Sequence, residues 1–210
     1  MVHHARQDLR LRFLLGGLAA LALLAGCVGS RILSQQANPD YVGKSFKSVM
    51  VVAVTADEIV RRTYEDRMVA LLAKRGIKGI PGYDAIGGRG KVQEAALRQG
   101  VAGSGAEAVL ITRVTSIDRV KTHVSGGTLM VGYGGGYYGF YSGVWDVVTV
   151  GAQDVSGEQW AVSETRLFDA RNETLAWTGF VDTKETENFN SALTQYLGLV
   201  FDAMVRDRVI

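Results

Sequence analysis

Cysteine, histidine and long apolar runs are scarce in this chain. Among 210 residues there is one cysteine, Cys27, and three histidines, His3, His4 and His123. One cysteine excludes an intrachain disulfide, so a folded domain must be held by its apolar core. Once the amino-terminal leader described below is removed, His123 is the only histidine left, which excludes a His–His metal site within one chain. A Ser–His–acid triad would depend on His123, and no Gly-x-Ser-x-Gly elbow is present to supply its serine. His123 is therefore read as a structural or exposed strand residue. The longest leading apolar run, Phe13 to Leu24, spans 12 residues. At about 1.5 Å per residue it covers roughly 18 Å, short of the ~30 Å hydrocarbon core, so it does not read as a permanent transmembrane helix.

Phosphate-binding motifs are missing too. Gly90-Lys91 is followed by Val92 instead of Ser or Thr, and Ala85 stands where a phosphate loop needs its first glycine. Gly103-Ser104-Gly105-Ala106-Glu107-Ala108 fits a dinucleotide pattern in letters only. It ends a predicted helix and precedes a strand, the reverse of the order that points a helix N-terminus at a phosphate. No cofactor, metal or catalytic residue is expected, and the chain is not read as an enzyme.

What is present begins with a leader. Arg6, Arg10 and Arg12 form a basic head, Phe13–Leu24 an apolar segment, and Ala25-Gly26 a small-residue site. This is the layout of a secretory signal. The leader takes three arginines and one acid, Asp8, with it. The formal charge of +2 for the whole chain thus falls to zero in residues 27–210, which gives no support for nucleic-acid binding.

The remaining 184 residues suffice for one domain with a real core. Residues 28–47, with Gln35, Gln36, Asn38, Pro39 and Asp40, read as a polar flexible tether about 25 Å in root-mean-square span. Ser48–Val54 is a continuous β-branched run, suited to a strand covered on both faces. Thr55 or Asp57 can cap the next helix, whose face is Val60, Tyr64, Met68, Leu71 and Leu72, with Arg61, Arg62, Glu65 and Asp66 largely outside it. Ile77–Tyr83 reads as a short edge strand bounded by Pro81, residues 91–103 as a helix weakened by Gly100, and 108–124 as a long strand.

Residues 126–143 hold eight glycines together with Tyr133, Tyr137, Tyr138, Phe140 and Tyr141. They read as a surface loop and as the candidate partner-binding site, because tyrosine offers broad amphipathic contact and glycine lets the backbone adapt. Extended segments follow at about 144–155, 159–169 and 174–183, the last with Leu175, Trp177, Gly179 and Val181 alternating on one face. Glu158, Glu164, Glu185 and Glu187 read as a solvated face, and Arg113 and Arg119 as exposed. A helix with Phe189, Leu193, Leu197, Val200, Phe201 and Met204 on its apolar side closes the chain, capped by Asn188 or Asn190. The predicted domain, residues 48–210, is thus α/β (α+β): a mixed sheet of about six strands with three helices, in the order β-α-β-α-β-β-β-β-α.

Two resemblances add to this reading. Leu24-Ala25-Gly26-Cys27 resembles a bacterial lipobox. That resemblance implies cleavage between Gly26 and Cys27, thioether lipidation of Cys27 and acylation of its new amine. Val28, where family sorting rules place an aspartate for inner-membrane retention, implies the periplasmic face of the outer membrane. Second, the Ser48–Val54 strand, the Asp57–Arg75 helix, Gly105-Ala106-Glu107-Ala108-Val109-Leu110, the Gly/Tyr-rich insert, and Leu167-Phe168-Asp169 leading to Leu175-Ala176-Trp177 resemble a bacterial outer-membrane lipoprotein family of unassigned function. Its domain is similar to the amino-terminal α/β domain of TolB. The same architecture recurs, by resemblance, in the curli-secretion lipoprotein and in a lipoprotein that activates penicillin-binding proteins. The resemblance implies a non-catalytic, lipid-anchored envelope protein that binds another envelope protein or a cell-wall component. The alternative is a homo-oligomeric subunit of an outer-membrane pore or secretion complex.

Overall fold

The computed structural model describes residues 29–87, 90–118, 136–142, 160–184 and 188–210. Its centre is the apolar run that stands out in the sequence. Strand β2, Ser48–Val54, is buried along its whole length. Parallel neighbours flank it, β3 (Lys78–Pro81) on one side and β4 (Ala108–Asp118) on the other. An antiparallel hairpin continues the sheet from β4: β5 (Trp160–Asp169) and β6 (Leu175–Lys184). Strand β1, Ser30–Ala37, closes the far edge antiparallel to β6, giving the order β1-β6-β5-β4-β2-β3. The expectation of a mixed α/β sheet of six strands holds.

Alternation along β2 sorts its side chains into two cores. Val49, Val51 and Ala53 face helices α1 (Glu58–Ala73) and α5 (Phe189–Arg206). Met50, Val52 and Val54 face the side covered by α2 (Gly82–Ile86), α3 (Glu94–Ser104) and α4 (Gly136–Ser142). Both faces of the sheet are therefore dry, which is why the strand carries no polar alternation. The Asp57 carboxylate caps α1, accepting hydrogen bonds from the Ile59 and Val60 amides at 2.8 and 3.1 Å. The three expected helices are found as α1, α3 and α5, and the described residues add two short ones, α2 and α4. Gly100 earns its place in α3 by proximity: a β-carbon there would sit 2.9 Å from the Ala85 carbonyl oxygen of α2. The helix gives up propensity for close packing.

Residues 28–47 correct the tether expectation. From Ser30 the chain is a strand in register with β6, and it continues as a 3₁₀ turn, Pro39–Tyr41, capped by the Asn38 side chain. Tyr41 and Phe46 are buried in the core. The Gly43 amide donates to the Arg208 carbonyl at 2.8 Å, so this segment also pins the chain's last helix. Its polar residues conceal it because an edge strand needs few apolar side chains: Arg31, Leu33, Ser34 and Gln36 are exposed, and Ile32, Gln35 and Ala37 are only partly covered.

Strand β6 shifts phase. Leu167 pairs with Trp177 but Phe168 with Leu175, so Ala176 is an extra residue in a bulge. Leu175 therefore packs on the α3–α4 side while Trp177 and Val181 pack on the α1–α5 side, correcting the single-face alternation read from the sequence. The predicted strand 144–155 lies outside the described residues.

Candidate functional site

The lipobox residues Gly26 and Cys27 lie outside the described residues, as do Tyr133, Glu158, Glu185, Glu187, Arg119 and His123. The first described residue, Gly29, is already part of the fold. Its carbonyl accepts the Lys184 amide at 2.6 Å, at the end of β6.

The aromatic insert is the main correction. Residues 136–142 form α4, and Tyr137, Phe140 and Tyr141 are only 4, 5 and 4% exposed. Tyr138 is half-buried and tilts against Tyr141. Phe140 packs on Phe168 at 5.9 Å between ring centroids. The Tyr141 hydroxyl accepts the Val92 amide at 3.0 Å, tying α4 to the approach to α3. In this arrangement the rings cover the sheet and do not present a free surface, because an open β4–β5 face needs apolar cover.

Charge placement was misread for the same reason. Glu164 is buried and accepts Arg113 Nε and Nη2 at 3.1 and 2.9 Å and Arg166 Nε at 2.6 Å. Both guanidiniums lie against the Phe140 ring, 4.0 and 4.5 Å from its centroid. Glu65 is also buried: its carboxylate accepts the Ala53 and Tyr83 amides at 3.0 and 2.8 Å and Arg61 Nε at 3.2 Å. Burial pushes the Glu65 pKa up, opposed by those hydrogen bonds and by Arg61.

At the opposite corner of the sheet, Asp169 ends β5 and holds the hairpin to the core. It accepts Arg171 Nη2 at 2.8 Å, the Arg171 amide at 2.9 Å and the Tyr41 hydroxyl at 3.2 Å. The hydrogen bonds from Arg171 hold its carboxyl below the ordinary 3.8, burial acting against them. A carboxyl depressed in the folded state contributes stability above its unfolded pKa and loses it as pH falls through the folded value. Asp169→Asn is therefore expected to be less stable than wild type at neutral pH, with the gap narrowing below about pH 4. Urea midpoints measured from neutral to acid pH test this; a gap unchanged through that range would refute it.

An open cavity lies elsewhere among the described residues. A cleft of about 420 Å³ opens at the carboxyl-terminal ends of β2 and β4, between the amino-terminal halves of α1 and α5. Its α-helical walls are Val60 and Tyr64 on one side and Phe189, Ala192, Leu193 and Tyr196 on the other. The sheet supplies Val54, Val114, Trp160 and Ala161, with Thr183 and Lys184 at the end of β6. Phe189 is 46% exposed at the mouth.

Tyr64, Thr112 and Tyr196 bring hydroxyls to the floor and are linked through Thr165; Thr55, Ser163, Thr183, Arg113 and Lys184 are the other polar residues of the lining. Tyr64 and Thr112 share a hydrogen bond of 2.6 Å, Thr112 and Thr165 one of 2.8 Å, and Thr165 and Tyr196 one of 2.8 Å. Burial pushes the Tyr64 phenol well above 10.0 and Tyr196 up to about 12, so both stay neutral hydroxyls. Thr165→Val takes a partner from both Thr112 and the buried Tyr196 hydroxyl and is expected to cost about 1–3 kcal/mol, whereas Tyr196→Phe removes an end hydroxyl and leaves Thr165 paired with Thr112, costing about 0.5–1.5 kcal/mol. Urea denaturation of the two variants checks the order; equal losses would mean the relay does not act as a chain.

The described lining contains no carboxylate, imidazole or thiol. Its chemistry is burial of an apolar group over hydroxyls that already satisfy one another. Among the described residues no group of three His, Cys, Asp or Glu side chains could hold a metal ion, and no helix is long and apolar enough to cross a membrane. Sequence reasoning did not find this cleft because its residues come from six elements; Tyr64 and Tyr196 were visible only as members of separate helices.

The chain matches no family model and no curated protein. Solved structures similar to it include the PelC dodecamer from Paraburkholderia phytofirmans, 12% identical with a TM-score of 0.43, covering 86% of this chain and 99% of that one. The lipoprotein GNA1162 from Neisseria meningitidis is 20% identical, with a TM-score of 0.35 over 76% of this chain and 95% of that one. The hypothetical protein CT253 from Chlamydia trachomatis is 12% identical, with a TM-score of 0.36 over 77% and 96%. Likeness at this level assigns the chain no activity and no partner.

Proposed function

We propose that this protein is a lipid-anchored, non-catalytic component of the bacterial cell envelope, held through Cys27 on the periplasmic face of the outer membrane, where it binds another envelope component. The observation that carries the reading is the junction of anchor and fold. Leu24-Ala25-Gly26-Cys27 ends the leader, and Gly29, two residues later, is hydrogen-bonded into the sheet. The lipid and the domain are thus coupled without a spacer. Binding is supported by the cleft, whose described lining buries apolar surface.

Cys27→Ala is the test. Thioether formation requires the thiol, so the variant is expected to remain unprocessed or to leave the outer-membrane fraction. If it still fractionates with the outer membrane after a carbonate wash, the anchor is not at Cys27 and the reading fails. Crosslinking in intact envelopes, followed by affinity capture of the wild type, then identifies the bound component.

A further inference from the structure

We propose that the cleft seats one acyl chain of the lipid carried by Cys27 of the same molecule. The inference rests on the lipidation reading above and deepens it.

Chain geometry delivers the lipid to this place. The Gly29 carbonyl is bonded to the Lys184 amide at 2.6 Å, and Lys184 lines the cleft. A β-carbon on Gly29 would lie 3.3 Å from the Gln195 side chain, beside the α5 wall. The chain at Gly29 thus stands beside the cleft's β6–α5 side. Two residues reach at most about 7 Å, so Cys27 is tied within that distance of Gly29.

Chemistry selects an acyl chain. The cleft's volume, about 420 Å³, is in the range that holds a small ligand. Val60, Val114, Ala161, Phe189 and Leu193 give it apolar walls. The hydroxyls of Tyr64, Thr112, Thr165 and Tyr196 are engaged with one another, so an occupant without polar atoms leaves none of them unpaired. With one chain in the cleft, the remaining chains hold the protein to the bilayer, and the cleft mouth faces the membrane.

The experiment uses the full-length protein in its envelope. Cells are fed a photoreactive diazirine fatty acid, irradiated, and the protein is purified and digested. Intact mass before digestion reads whether Cys27 is lipidated. The expected product joins the peptide Cys27–Arg31 to a peptide bearing Trp160–Ser163 or Phe189–Tyr196. Ala192→Trp, which fills the cleft from a half-buried helix position, is expected to lose that product while keeping the lipidated mass. An unlipidated mass overturns both the anchor and this inference. A lipidated mass with no crosslink in the cleft, or with a phospholipid adduct lacking the Cys27 peptide, overturns this inference alone. A crosslink that survives in Ala192→Trp at the same yield overturns it too.

Discussion

Phe140→Ala is expected to lower the free energy of unfolding by about 3–5 kcal/mol, the loss that follows truncation of a buried aromatic ring. The size follows from what the ring separates. On one side it packs on Phe168 in the core. On the other it lies under the Arg113 and Arg166 guanidiniums, whose shared acceptor, Glu164, is 2% exposed. Removing the ring leaves a cavity and takes a favourable face from two partly desolvated cations. Arg113 Nη1 also donates to the Phe140 carbonyl at 3.3 Å, so loosening α4 weakens the anchoring of the ion cluster itself. Urea titration measures the effect. A loss below about 1 kcal/mol would make α4 a surface ornament and restore the free-loop reading. Tyr138→Ala serves as the comparison: half-buried, it should cost clearly less.

Trp177→Ala is expected to cost about 3–5 kcal/mol as well, for a different reason. The indole is 1% exposed and its Nε1 donates to Asp207 Oδ2 at 2.8 Å. The same carboxylate oxygen accepts Gln35 Nε2 at 2.7 Å, and Arg206 Nη2 donates to Gln35 Oε1 at 2.7 Å. One ring thus fills the core between sheet and α5 and also orients the acid that joins β1 to the end of α5. Trp177→Phe should retain most of the burial and lose about 1.5–3 kcal/mol, the worth of a hydrogen bond to a charged group. Gly179 is part of the same design: a β-carbon there would lie 2.3 Å from the indole, so alanine at that position must displace the ring. Hydrogen exchange gives a second readout. In Trp177→Ala the β1 amides should lose protection ahead of those in β2; uniform loss across the sheet would show that Asp207 does not couple the edge strand to α5.

How far the sequence carried can be argued from these elements. β2, α1, α3, β4, β5, β6 and α5 were legible because each is a run or face of apolar residues read by local periodicity. β1 was not, since Ser34, Gln35 and Gln36 satisfy an edge position without any apolar rhythm. α4 was hidden by its glycines, which favour loop conformations locally. What stabilises it is the uncovered β4–β5 face, a demand set by residues far away in the chain. Glu65 and Glu164 looked solvated for the same reason: whether a carboxylate is buried depends on which arginines and amides fold against it. The cleft was the least legible feature. It is assembled from six separate elements, none of which carries a chemical motif of its own.

The hydrogen bond between Gly29 and Lys184 also sets how the protein can search. A coil from 28 to 47 would have let the domain sweep a space about 25 Å in root-mean-square radius above its anchor. If Cys27 carries the proposed lipid, at most two residues, about 7 Å at full stretch, separate it from Gly29. On the proposed anchor the domain gives up vertical reach, and lateral diffusion in the leaflet becomes nearly all of its freedom. Encounters turn into a two-dimensional problem. Partners embedded in or resting on the same membrane meet it at high effective concentration, whereas a partner farther away than the domain's own height must come to it.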